Sequence, residues 1–210
     1  AYLTKTLRNK FGVVISASHN DFLDNGIKIF NESGEKISRD VEKRIEKYLA
    51  SDLIPVETSA IGKAYRFDES GPRYIEFCKS TVPSDISFSS LRIVLDCANG
   101  ACYKVSPEIF EELGAEVITI GDNPDGYNIN QNCGSTYPEF VKEEVVKHRA
   151  DFGISLDGDG DRVILVDEKG NLLDGDDLLY ILAFSNPNRT GPWAGVCLLY
   201  TSDAADDRVS

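Results

Sequence analysis

Apolar residues fall in short runs separated by polar stretches that carry glycine, proline and serine, and the period of each run decides its element. Val13-Val14-Ile15 predicts a buried strand. Ile27-Lys28-Ile29-Phe30 predicts a second, with Asp24-Asn25-Gly26 as the turn signal before it. Ser38 is placed to cap a helix running to about residue 50, with Val41, Ile45, Tyr48 and Leu49 on one face. Residues 51–69 form a polar connection, 72–79 a helix and 80–90 a Ser/Pro-containing linker. Strands are expected at 91–95, 116–120, 152–156 and 163–166. Ser106-Pro107 opens a helix that Gly114 closes. Thr136 and Glu139 have the spacing of a capping box for a helix to about residue 148. Asp174 caps a last helix holding Leu178, Leu179, Ile181 and Leu182. Strand–helix alternation of this kind predicts an α/β fold: consecutive layered α/β domains with mixed sheets flanked by helices.

The two ends do not share this order. Residues 1–9 have the pattern of the last turns of a helix, with Leu3 and Leu7 on one face, and the chain contains no methionine. The expected organisation is the C-terminal part of a first α/β domain at 1–80, a second α/β domain at 81–170 and the start of a third at 171–196. Residues 197–210 break from the preceding pattern and are expected to be a non-native or disordered tail. On this reading the chain is a fragment of a larger multidomain protein.

Two stretches carry chemistry. Residues 157–162 are Asp-Gly-Asp-Gly-Asp-Arg, entered from an apolar run. Glycine lets the backbone bend so that Asp157, Asp159 and Asp161 converge. Converging carboxylates repel unless a hard cation sits among them, and Mg²⁺ or Ca²⁺ prefers such oxygen ligands. Arg162 adds a guanidinium fork suited to phosphate oxygens. Upstream, the strand at Val13-Val14-Ile15 gives way to Ser16-Ala17-Ser18-His19-Asn20, which presents a serine beside a histidine at a strand–loop junction. A Ca²⁺ loop of the EF-hand kind would match Asp157, Asp159, Asp161 and Glu168, but it has Arg162 where the sharp turn wants glycine and strands where helices belong. An aspartyl-phosphate hydrolase of the haloacid dehalogenase type would want threonine where Asp161 stands.

Taken together, and in this order, the two motifs resemble the α-D-phosphohexomutase superfamily. Asn123-Pro-Asp-Gly-Tyr-Asn-Ile-Asn-Gln-Asn-Cys-Gly-Ser-Thr136 is similar to its amino-sugar branch, and Asp96-Cys-Ala-Asn-Gly100 and Tyr74-Ile-Glu-Phe-Cys-Lys79 also fit. The resemblance covers roughly residues 1–196 and implies a larger multidomain enzyme, of which this fragment would be inactive alone. It implies interconversion of glucosamine 6-phosphate and glucosamine 1-phosphate through a phosphoserine and a bisphosphate intermediate. It implies Ser18 as the phosphoserine, with His19 in a supporting role. Mg²⁺ would be held by Asp157, Asp159, Asp161 and the phosphate on Ser18, Arg162 would clamp phosphate, and Lys28 would transfer a proton. Branches acting on phosphoglucose or phosphomannose would use the same loops on another sugar. A non-enzymatic Ca²⁺-binding module is the alternative of a different class.

Composition narrows the partners. A net charge of −13 argues against nucleic acid and anionic membranes, and leaves phosphate to be held by local cations. The expected partner is a phosphorylated amino sugar, with no nucleic acid and no membrane; a homo-oligomer is compatible with the sequence. Five cysteines without a Cys-x-x-Cys spacing, the absence of a signal-peptide pattern and the absence of a long apolar run are the features expected of a cytoplasmic protein.

Overall fold

The structure, a computed structural model, describes residues 1–52 and 55–185. Its chain forms two compact units, one from residues 1–16 and 25–81, the other from 17–24 and from 82 onward.

The first unit holds α1 (Tyr2–Thr6), β1 (Phe11–Ser16), β2 (Gly26–Asn31), α2 (Arg39–Leu49) and α3 (Ser70–Lys79). β1 and β2 pair antiparallel, from Phe11 opposite Asn31 to Ser16 opposite Gly26. The Tyr2 ring stacks on Phe77 at 4.4 Å between centroids and meets Tyr74 edge-on at 5.7 Å, which joins α1 to α3.

The second unit is a mixed five-stranded sheet in the order β4-β3-β5-β6-β7. Its elements are β3 (Arg92–Asp96), α4 (Val105–Glu112), β4 (Glu116–Ile120), α5 (Glu139–His148), β5 (Phe152–Leu156), β6 (Val163–Asp167), β7 (Leu172–Leu173) and α6 (Gly175–Ser185). β3 runs parallel to both β4 and β5, while β6 and β7 are antiparallel additions. Alternation along β3 builds two cores. Ile93 and Leu95 bury with Cys97, Ala115 and Ile154 on one face, joined by Phe88 and Phe110. Val94 buries on the other with Val141 and Val145 of α5, Ala150 and Val166. Each fully buried branched side chain contributes about 1.5–3 kcal/mol relative to exposure, so helices on both faces make this unit a stable α/β/α layer.

The strand order reverses direction at β3: one crossover leads outward to β4, the next returns past β3 to β5. In open α/β sheets such a reversal leaves a crevice beyond the carboxyl ends of the two diverging strands. Asp96 ends β3, and Asp157 follows the last residue of β5.

Several expectations need correction. Val13, Val14 and Ile15 do form a strand, but they are 52%, 40% and 73% exposed, and Ile27 is 67% exposed. Among the described residues that sheet has two strands, and α1 meets it at Gly12, where an added Cβ would collide with Thr4; Val13, Ile15 and Ile27 stay more than half exposed. The turn before β2 lies earlier than Asp24-Asn25-Gly26: the Asp24 amide donates to the Asp21 carbonyl and the Leu23 amide to the Asp21 carboxylate. The Thr136–Glu139 capping box does not form, because α5 starts after Pro138 and has no side-chain cap. Ser38 stands at the N-cap of α2 without a side-chain bond, and no residue of that helix is buried. Asp174 does cap α6: the Asp177 amide donates to its carboxylate, and the Asp174 amide donates back to the Asp177 carboxylate. Leu172 and Leu173, assigned by pattern to a third region, pair with β6. The tail at 197–210 and Cys197 lie outside the described residues.

Candidate active site

The end of β5 delivers Asp157 into the crevice beside β3. Its side chain is fully buried. Oδ1 accepts from the backbone amides of Asp161 at 3.0 Å and Arg162 at 3.1 Å, which curls residues 157–162 around the carboxylate. Oδ2 is buried without a protein partner. Ligand oxygens of Asp157, Asp159 and Asp161 all lie within 4.8 Å of one another. Burial pushes the Asp157 carboxyl up to about 6; the charges of Asp159 and Asp161 add to this, and the Arg162 amide works against it. Three hard oxygen donors, one of them dehydrated and short of a partner, fit a small divalent cation. β5 and β6 flank the loop as antiparallel strands, so the helix-flanked EF-hand alternative does not apply.

The Ser18 loop belongs to the same unit. Ser18 is 8% exposed, and its hydroxyl donates to Asp159 Oδ1 at 3.3 Å. Its φ of 53° lies in the left-handed region, which costs a non-glycine residue on the order of 1–3 kcal/mol and persists only where the surroundings impose it. Here they do. The Asn20 amide closes a turn onto the Ala17 carbonyl at 2.9 Å, and Asn130 Nδ2 donates to the carbonyls of both Ser18 and Asn20 at 2.9 Å. Gly158 has to be glycine for the two loops to meet: a Cβ there would collide with the Ser18 carbonyl oxygen and crowd Ile129 and Asn130.

A second carboxylate organises the floor. Asp96 is fully buried; Oδ1 accepts from the Ala98 amide at 3.0 Å, and Oδ2 accepts from the Gly134 amide at 2.6 Å and from Ser155 Oγ at 3.2 Å. Burial raises its proton affinity, and those three donors oppose the rise. The Ala101 amide donates to the Gly158 carbonyl at 2.8 Å, tying the loop after β3 to the acidic loop.

Of the residues singled out from sequence, Ser18, Asp157, Asp159 and Asp161 are thus brought together. His19 is half-buried in the Ser18 turn, between the two carbonyls that Asn130 holds. Arg162 is half-buried beside Asp157, to which it gives its backbone amide. Lys28 lies in β2 opposite Val14 and belongs to the other unit. Sequence reasoning gave no role to Asp96, Asn130 or Ser155. The signal was present for the first two, since both stand inside segments that had already drawn notice as motifs.

Family models match two stretches of the chain. The model described as phosphoglucomutase/phosphomannomutase, alpha/beta/alpha domain I, matches residues 1–53, and the domain II model matches 72–170. A phosphoglucosamine mutase of Legionella pneumophila (strain Lens) is 58% identical over 183 residues, which are 87% of this chain and 40% of that protein. The chain belongs to the phosphoglucomutase/phosphomannomutase family. A second family member, the phosphoglucosamine mutase of Marinomonas sp. (strain MWYL1), is 55% identical over 195 residues, 93% of this chain and 43% of its own. The chain therefore spans about 40% of the length of the curated relatives it matches. Among solved structures, a phosphoglucomutase/phosphomannomutase family protein from Burkholderia thailandensis is similar with a TM-score of 0.63 at 24% identity, over 82% of this chain and 37% of that one. An N-acetylphosphoglucosamine mutase from Aspergillus fumigatus, solved with glucose 1,6-bisphosphate, gives 0.56 at 22% identity, over 86% and 48%. At these identities the likeness concerns the fold.

Proposed function

We propose that this chain carries the phosphoserine and metal loops of a phosphoglucosamine mutase, which interconverts glucosamine 6-phosphate and glucosamine 1-phosphate. The observation that carries the reading is the Ser18 hydroxyl donating to Asp159 at the edge of a three-carboxylate cluster whose buried member, Asp157, has one oxygen, Oδ2, without a hydrogen-bond partner. Identities of 55–58% to phosphoglucosamine mutases favour an amino sugar over glucose or mannose phosphates.

Ser18 Oγ is the phosphoryl carrier in this reading. In the first transfer the Oγ–P bond breaks and a bond forms from phosphorus to the free sugar hydroxyl, whose proton leaves; the product is a bisphosphate. In the second, Ser18 Oγ takes the other phosphoryl group, and the sugar oxygen it leaves is reprotonated. Asp157, Asp159, Asp161 and the phosphate on Ser18 would hold Mg²⁺, which when bound supplies neutralisation of charge on the transferring group. Without the cation, the carboxylates repel the phosphate that Ser18 must carry. Arg162 clamps phosphate oxygens through its guanidinium. Lys28 enters from the sequence alone, as the group that moves the hydroxyl proton, and His19 in support of the turn. The net charge of −13 and the free cysteines among the described residues suit a cytoplasmic enzyme of small metabolites.

The test is Ser18→Ala in the full-length chain. Turnover of glucosamine 6-phosphate should be lost while folding is kept. Near-normal turnover would move the carrier elsewhere, with Ser16 the first suspect.

A further inference from the structure

The Ser18 turn is closed by a backbone hydrogen bond from the Asn20 amide to the Ala17 carbonyl at 2.9 Å, and within it Ser18 sits at a strained φ with its hydroxyl on Asp159. A side chain from another loop reinforces that closure. Both hydrogens of the Asn130 carboxamide are used, one on the Ser18 carbonyl and one on the Asn20 carbonyl, each at 2.9 Å. These two carbonyls bracket His19, so the pair fixes both peptide planes of the turn. Asn130 is itself anchored: its amide donates to the Ala98 carbonyl at 2.8 Å, just after β3. Its own φ of 57° is left-handed, a region asparagine enters more readily than most residues. Its Oδ1 is buried with no partner, so the residue accepts a desolvation cost on the acceptor while both donor hydrogens serve the turn. The same side chain lies against Gly158, where the acidic loop comes up to the Ser18 carbonyl.

We propose that Asn130 is a positioning residue for phosphoryl transfer: it sets the Ser18 turn against the acidic loop so that Oγ stands in line for attack. The inference rests on Ser18 being the phosphoryl carrier. Asparagine is singled out because it alone combines two diverging donor hydrogens on one nitrogen, a short reach and tolerance of left-handed backbone. Aspartate has the same shape but would turn an oxygen onto two carbonyl oxygens. Glycine keeps the backbone and removes the staple.

Asn130→Gly and Asn130→Asp should be made in the full-length chain and mixed with glucosamine 1,6-bisphosphate and Mg²⁺, with Ser18 phosphorylation followed by rapid quench and peptide mass spectrometry. Misplacement of a reacting group by about 1 Å costs about a hundredfold. Both variants should therefore phosphorylate Ser18 roughly a hundredfold more slowly, with kcat lowered, KM changed by less than about threefold and Mg²⁺ affinity of the unphosphorylated protein unchanged. A merely structural role would lower thermal stability and metal affinity together, and would leave the kcat-to-KM split unmarked. Wild-type phosphorylation rates in both variants, or a rate loss that tracks lost Mg²⁺ binding, would overturn the proposal. Ser18→Ala run alongside separates the two layers: bisphosphate label appearing elsewhere at the wild-type rate refutes the carrier assignment itself.

Discussion

Asp157→Asn offers a quantitative test of the acidic loop. The carboxyl is fully buried, binds its proton up to about pH 6 and carries an oxygen with no partner. A carboxyl that holds its proton more tightly folded than unfolded stabilises the fold below the unfolded value of 3.8, and that contribution is lost as pH rises through about 6. At about 1.4 kcal/mol per pH unit, the metal-free protein loses about 3 kcal/mol between pH 4 and pH 7.5 from this one group. A carboxamide keeps an acceptor for the amides of Asp161 and Arg162, and it points an NH₂ toward Asp159 and Asp161 instead of a third charge. In excess chelator the asparagine variant should be about 3 kcal/mol more stable than wild type at pH 7.5, and the advantage should vanish near pH 4. Urea unfolding at a series of pH values, followed by hydrogen exchange at β3 and β5, reads this directly. Mg²⁺ at about a thousandfold its dissociation constant adds about 4 kcal/mol to the wild type, which should reverse the order. A pH-independent difference, or a variant less stable than wild type in chelator at pH 7.5, would refute the buried-charge reasoning.

Other expectations follow from the same packing. Asp96→Ala strips the acceptor from the Ala98 and Gly134 amides and the Ser155 hydroxyl, and should lower unfolding free energy by about 3 kcal/mol in denaturant titrations. Gly158→Ala drives a methyl group into the Ser18 carbonyl; turnover should collapse, while stability falls by about 1–3 kcal/mol. Burial pushes the Cys133 thiol up to about 12 and the Cys97 thiol higher still, so iodoacetamide at pH 8 should leave both unlabelled until the protein unfolds, as read by peptide mass spectrometry.

In the second unit β4 and β5 fall where the pattern put them, because apolar residues recur along both and glycine follows closely, Gly121 directly after β4 and Gly158 just after β5. The α5 start was misplaced because Thr136 and Glu139 have a cap's spacing, but Pro138 takes the N-cap position in the helical region. The burial of Val13 and Ile15 was misjudged because hydrophobicity reports what a residue prefers, not whether a layer stands opposite it. At the site, the aspartates announced themselves by their alternation with glycine. Asn130 and Asp96 stand inside segments the motifs already marked, but their roles did not show there, because partners such as Ser18 and Gly134 come close only on folding, Asn130 reaching the Ser18 carbonyl across 112 positions.

The exposed β1–β2 ribbon has a practical consequence. From Phe11 to Ile15 the strand carries no charge and no proline, and Phe11, Ile15 and Ile27 are each about two-thirds exposed. Strands of that kind are templates for pairing with another chain, and gatekeeping residues that usually blunt them lie outside the run, at Lys10 and Lys28. Preparations of these 210 residues should therefore self-associate as concentration rises, through intermolecular ladders at β1. A lysine at Val13 or Ile15 is the change that would keep such a sample monodisperse.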